Sequence, residues 1–190
     1  LPISGVGIHT SHKTLVKPCY KCPINHCHWT YFNDPKKYGM ERVDEPEYEG
    51  MAGFGSNWGI HDVDAILWLN HLSDDYALCL KSLTFVVSLM MECYEKGLVT
   101  REQLDGLDLR FGNAEAAAEL MRKIAYREGI GKLLGENLTT IAETIGGEAE
   151  NMVVAIKHAG IQVHDQRSLW GFMLSSAVSE FSAPIVGGAI

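Results

Sequence analysis

The sequence predicts a mainly α fold whose N-terminal portion is irregular and bears cysteines, and three observations carry that reading. Apolar residues recur at helical spacing from Ile60 onward. Residues 1–57 show no sustained period of 3.6 or 2. Three of the five cysteines crowd into Cys19 to Cys27, inside that aperiodic part.

The first 57 residues are rich in Gly, Pro, His and aromatic side chains, and Asn33 to Gly39 is turn chemistry, so loops tied together by something other than a core are expected. Ile60, Val63, Ile66, Leu67, Leu69 and Leu72 then define a first helix, with His61-Asp62 as its capping start. A second helix is expected from Leu78 to Lys96, where Leu83, Val86, Val87, Met90 and Met91 form a wide apolar face and Gly97 marks the stop. Thr100 and Gln103 match a capping box leading to a short helix that stops before Gly106. Asn113 to Glu128 is the clearest helix, ending at Gly129. Gly131 to Ile145 supplies another, closed by Gly146-Gly147, and Ala149 to Lys157 a shorter one. Gly160 to His164 is the one strand-like stretch. Neither Gly129-Ile-Gly131 nor Gly146-Gly147 follows a predicted strand, which argues against a phosphate loop. The expected organisation is a loop-rich cofactor-binding segment at 1–57, a helical domain at 58–170 and the start of a further segment at 171–190.

A chain of 190 residues with 46% hydrophobic content can bury a substantial core. Its 16 basic and 24 acidic residues give a formal charge of -8, which argues against a nucleic-acid footprint or a polybasic membrane contact. The most apolar run, Leu83 to Met91, stops at Glu92, short of the about 18 residues a membrane span needs. Leu1-Pro2-Ile3-Ser4-Gly5 has no basic or apolar region of a signal peptide, and Pro184 to Ile190 lacks a helix stop. Both ends are therefore expected to lie inside a longer protein. The cysteines are not spaced as a secreted disulfide framework, so a reducing, cytoplasmic setting is expected.

Cys19-x2-Cys22-x4-Cys27 sets three thiols on one loop, with Pro23 stiffening the turn after the second. Two chemistries use such a loop. An iron–sulfur cluster needs a fourth ligand, for which Cys79, Cys93 or a residue outside the chain are candidates; a zinc site could be closed by His26 or His28, making the chain a zinc-stapled helical binding module. Glu49 is a candidate proton carrier if desolvation raises its pKa, against the plainer reading of a carboxylate paired with a nearby base. His9, His12 and His61 are proton-donor candidates whose plainer reading is solvation. Cys93 and Met90, Met91, Met121 and Met152 sit at helical core positions.

The order and spacing of several blocks resemble the aldehyde ferredoxin oxidoreductase family: Cys19-x2-Cys22-Pro23, Pro46-Glu-Tyr-Glu49, Gly59-Ile60 before Asp62 and a helix to Asn70, Asp74 to Leu78, Met91 to Gly97, Gly106 to Asn113, and Ile124 to Gly131. The resemblance runs from about residue 17 to 170. It implies a tungsten bis-(pyranopterin dithiolene) beside a 4Fe-4S cluster, and helical domains following a β-rich domain that is absent here. Cys19, Cys22 and Cys27 match the first three cluster ligands, although the last gap is four residues here against the family's three. Asp74, Ala77 and Leu78 match the pterin-binding signature Asp-x-x-Gly-Leu-Asp, with Ala77 in place of its glycine. Cys79 replaces the final Asp, and its thiolate could ligate the metal. That substitution resembles the active-site subunit of tungsten-dependent benzoyl-CoA reductases. The implied function is low-potential reduction of an aromatic acyl-CoA; the alternative is ferredoxin-dependent aldehyde oxidation. The implied partners are ferredoxin or an iron–sulfur electron-transfer subunit, together with a small-molecule substrate. Glu49, with His9 or His12, would handle protons, while Lys157 to Gly160 and His164 to Arg167 fall where the family returns to its second pterin.

Overall fold

The computed structural model describes residues 3–44, 46–164 and 169–179, the side chain of Phe172 apart; Asp165 to Arg167 and Pro184 to Ile190 lie outside them. The chain opens with α1 (Gly5–Ser11), whose N-terminus is closed by the Ser4 hydroxyl accepting from the Gly7 amide. The aperiodic part then forms a small antiparallel sheet in place of the expected loops: β1 (Thr14–Val16), β2 (His28–Tyr31) and β3 (Arg42–Asp44), in that spatial order. Leu15 faces Trp29, and Trp29 faces Asp44. Between the last two strands, α2 (Pro35–Tyr38) is a single turn with Pro at its start, Asp34 as cap and Gly39 at φ 68 as stop. One side of the sheet is dry, with Thr30 and Val43 buried, and with Ile8 and Phe32 it joins the main core.

Next come α3 (Tyr48–Gly50) and a π-helical stretch, Met51–Ser56, in which the Asn57 amide reaches back to the Ala52 carbonyl. The widened turn lies against α5 (Leu80–Glu95). A Cβ at Gly53 would stand 2.5 Å from Thr84 Cγ2, so only glycine lets the backbones approach this closely. Asn57 Nδ2 and Trp58 Nε1 both donate to the Thr84 carbonyl, at 3.2 and 2.9 Å.

Three helical expectations hold with shifted ends, whereas the helix expected from Ala149 to Lys157 is replaced by a 3-10 turn and a hairpin strand. α4 (Val63–Asp75) starts at the Asp62 cap; α5 buries Leu83, Val86, Val87, Met90 and Met91; α6 (Ala114–Tyr126) starts at the Asn113 cap. The predicted helix from Gly131 to Ile145 is two, α7 (Gly131–Leu134) and α8 (Leu138–Ile145), because Asn137 caps the second. Thr100 and Gln103 make the reciprocal capping bonds, but the chain turns without forming a helix, closing instead through the Gly106 amide on the Arg101 carbonyl. A 3-10 turn, Gly147–Met152, precedes the hairpin of β4 (Ala155–Ile156) and β5 (Ala159–Gly160). Lys157 and His158, at φ 50 and 72, give the double left-handed turn that a two-residue hairpin loop requires. Gly160 lets β5 lie on Phe85 of α5. The strand is thus centred earlier than the predicted stretch from Gly160 to His164. The last described helix is α9 (Trp170–Val178). One apolar core runs through α4, α5, α6 and α8; each fully buried side chain such as Leu67, Leu69 or Leu120 contributes about 1.5–3 kcal/mol. Among the described residues no single helix is long and apolar enough to cross a membrane.

Candidate metal and cofactor site

The cysteine loop joins β1 to β2. Its first turn closes through the Cys22 amide on the Cys19 carbonyl at 3.0 Å, with Lys21 left-handed at φ 57 and Asn25 at φ 54. The chain is thereby wound so that Cys19 Sγ and Cys27 Sγ come to 3.7 Å, and His26 Nδ1 stands 3.2 Å from Cys27 Sγ. Cys19 is exposed, and Cys22 and Cys27 are half-buried. Among the described residues no three His, Cys, Asp or Glu side chains converge tightly enough to hold one ion, so the zinc-staple alternative finds no closed donor set. A 4Fe-4S cluster takes each thiolate on a separate iron and needs the sulfurs apart rather than converged. Three thiols on one surface loop, able to separate by side-chain rotation, fit that demand for three of the four corners.

The second motif is a helix end. Ala77 stands left-handed at φ 51, its amide donating to the Asp74 carbonyl while the Leu78 amide donates to Ser73. This is a Schellman stop of α4, a position that ordinarily takes glycine. Cys79 follows as the exposed cap residue of α5. Tyr76, Ala77, Leu78 and Cys79 form one wall of a cleft of about 320 Å³, closed opposite by Ile124, Arg127 and Leu134. Arg127 is held there by Glu136 Oε1 at 2.7 Å and the Lys132 carbonyl at 3.1 Å. Burial pushes the Asp74 carboxyl above its ordinary value; His71 opposes this, and Asp44 and Asp75 add to it.

Glu49 lies between the two motifs. The next residue, Gly50, packs so closely on α4 and α5 that a Cβ there would stand 2.3 Å from Asn70 Oδ1 and 3.4 Å from Leu80 Cδ1, one residue past Cys79. The preceding residue, Tyr48, lines a hollow with His26 and Cys27. Glu49 Oε2 accepts the Val163 amide at 2.8 Å, and Glu49 Oε1 lies 3.1 Å from His164 Nε2. The Tyr48 ring stacks on the His164 imidazole, centroids 4.5 Å apart and planes within 12°, and its hydroxyl donates to the Val163 carbonyl. A second link runs through the sheet: the Lys17 amide donates to the Cys27 carbonyl, and Lys17 Nζ bonds Asp44, whose charge reaches Asp74. Cys27 and Cys79 themselves line different hollows.

His12 is buried and engaged on both ring nitrogens, with Ser11 Oγ at 2.8 Å from Nδ1 and Asp64 Oδ1 at 2.9 Å from Nε2. Asp64 also accepts the amides of Asn33 and Asp34, so the pair fastens α1 and the turn before α2 to α4. His9 is exposed beside Thr14 and His28. Cys93 is buried in α5, and burial raises its thiol to about 11. Sequence reasoning did not pair His164 with Tyr48 and Glu49. They lie on segments more than a hundred residues apart, and the only available signal was the proximity of both segments to blocks of the family pattern.

The profile of the family described as aldehyde ferredoxin oxidoreductase, domains 2 and 3, matches residues 2–184. The chain belongs to this family. Tungsten-containing aldehyde ferredoxin oxidoreductases of Pyrococcus abyssi and Pyrococcus furiosus are 32% and 34% identical to it, each over 93% of this chain and 28% of their own length. An aliphatic sulfonate oxidoreductase, WOR-like subunit, of Pyrococcus furiosus is 32% identical over 78% of the chain and 24% of its own length. Among solved structures, the active site complex BamBC of benzoyl Coenzyme A reductase with 1,5 dienoyl-CoA superposes at a TM-score of 0.72 and 22% identity, over 91% of this chain and 25% of that one. This aldehyde ferredoxin oxidoreductase family chain therefore spans little more than a quarter of its curated relatives.

Proposed function

We propose that the chain is the cluster-bearing and pterin-contacting segment of a tungsten/pterin, 4Fe-4S oxidoreductase. The observation that carries this reading is the position of α3: it touches the start of α5 beside Cys79 on one side and lines the hollow of Cys27 on the other. Cys19, Cys22 and Cys27 would hold three corners of the cluster, Asp74 and the backbone of Ala77 and Leu78 would meet the pterin, and Cys79 would reach the metal. When bound, these groups supply two-electron chemistry at the metal and single-electron transfer through the cluster.

The chain's own work is placement and proton handling. Glu49 is fixed by a backbone N–H on one oxygen and faces an imidazole on the other, so a proton can rest at His164 Nε2 or pass to Glu49 Oε1 without rearrangement. The Tyr48 stack holds the imidazole plane. With both nitrogens engaged, His12 has a holding role, while His9 remains a surface donor. The division at residues 57 and 170 follows from these roles: the first segment carries the cluster thiols and Glu49, the second the Asp74 to Cys79 turn and His164.

Cys79 in the position of the family's aspartate favours reduction of an aromatic acyl-CoA, with a ferredoxin or an iron–sulfur subunit as electron donor in a reducing, cytoplasmic compartment. Aldehyde oxidation is the second reading, favoured by the named activity of the relatives at 32–34% identity. The full-length protein, purified without oxygen, should reduce benzoyl-CoA with a low-potential donor. Oxidation of benzaldehyde without ring reduction would select the second reading, and a protein holding neither tungsten nor iron would remove both.

A further inference from the structure

We propose that the outer face of the β1–β2–β3 sheet is the docking surface for an acidic electron-carrier protein. This deepens the function proposed above and rests on it. The sheet has two unlike faces: Thr30 and Val43 point into the core, while Leu15, Trp29 and Tyr31 alternate outward among cations. Lys17 Nζ lies 4.0 Å and Arg42 Cζ 4.8 Å from the Trp29 ring centroid, and Lys13 Nζ lies 4.3 Å from that of Tyr31. Arg42 also donates to the Tyr31 hydroxyl at 3.1 Å. Lys17 is neutralised by Asp44, which leaves the Lys13 and Arg42 charges uncompensated on this face among the described residues.

Three arguments identify the occupant. In a chain of net charge -8, a cationic aromatic face is the local exception, and opposite charge is what steers and orients an acidic partner. Trp, Tyr and Arg are the residues that most often anchor protein interfaces. The face also borders the thiol loop: the Lys17 amide is bonded to Cys27, and the pattern continues beside Cys19, where Lys21 Nζ lies 5.2 Å from the centroid of the exposed Tyr20 ring. A carrier seated here would stand next to the cluster ligands, and a small encounter surface is normal for electron transfer.

The test uses the full-length protein and an oxidised, acidic two-cluster ferredoxin as probe, with binding followed by calorimetry and by acetylation of Lys13. Lys13→Glu and Arg42→Glu should each weaken binding about fivefold and flatten its salt dependence, whereas Lys132→Glu, the same charge change on α7, should alter it less than about twofold. Lys13 should be labelled in the free protein and protected by the ferredoxin. Absence of binding, equal effects of the three substitutions, or a Lys13 already protected without ferredoxin because the rest of the protein covers it would each overturn the proposal. None of these readouts needs turnover, so absence of iron and tungsten from the same preparation separately identifies failure of the underlying function.

Discussion

Ala77 occupies the left-handed stop of α4 at φ 51, where the family signature has glycine. An L-residue there costs about 1–2 kcal/mol through its Cβ, and a glycine would relieve that strain at an unfolded-state entropy cost of about 0.5–1 kcal/mol. Ala77→Gly should therefore stabilise the turn by about 0.5–1 kcal/mol, a two- to fivefold shift in its local opening equilibrium. The Leu78 amide, which donates to the Ser73 carbonyl at 2.9 Å, reports that opening directly. Native-state hydrogen exchange followed at Leu78 should slow about two- to fivefold in the variant. Ala77→Val, with a branched Cβ in the same conformation, should accelerate it. Unchanged or faster exchange at Leu78 in the glycine variant would show that this turn stores no strain and that the alanine carries no structural cost.

Gly131→Ala should lower the denaturation midpoint by the equivalent of about 1–3 kcal/mol, because its Cβ would lie 2.0 Å from the Lys123 carbonyl, a backbone atom unable to step aside. His12→Ala leaves Asp64 buried without its imidazole partner and should cost about 1–3 kcal/mol, read as a lower denaturation midpoint and faster exchange of the His12 amide bonded to Ile8. Cys93, its thiol raised to about 11 from 9.0 by burial, stays protonated and enclosed, so iodoacetamide at pH 8 should modify Cys19, Cys22, Cys27 and Cys79 before it. The same shift means that the unfolded chain loses this proton first, so stability should decline as pH rises from 9 toward 11, and Cys93→Ala should make that decline shallower. The Asp105 carboxyl is held below its ordinary value, first by the Ile130 amide and then by Lys123. Its contribution is present above pH 3.8 and is lost as pH falls through the lower folded value, so Asp105→Asn should make acid unfolding less steep there.

The legible parts of the fold were those set by neighbours in sequence. Asn113 and Asp62 cap the helices they announce, and the apolar stripe of α5 is the buried face. The strands of the first segment were illegible because they are three or four residues long and only Thr30 and Val43 among them are buried, too few to register as alternation. The break between α7 and α8 was missed although its signals are local: Gly135 ends α7, and Asn137 caps α8 through the Thr140 amide just as Asn113 caps α6. At the candidate site, the thiol spacing could be read as a local pattern, and the Asp74 to Cys79 block through its likeness to the family signature. The Glu49–His164 contact and the His12–Asp64 pair could not, since each joins segments that only the fold brings together.

The most direct measurement is elemental analysis with low-temperature EPR of the full-length protein, purified anaerobically and reduced, beside its Cys27→Ala variant. Iron and tungsten should both be present in the parent, with a reduced-cluster signal that the variant loses or alters. Zinc in place of iron, or an iron–sulfur signal that ignores the loss of Cys27, would contradict the assignment of this loop.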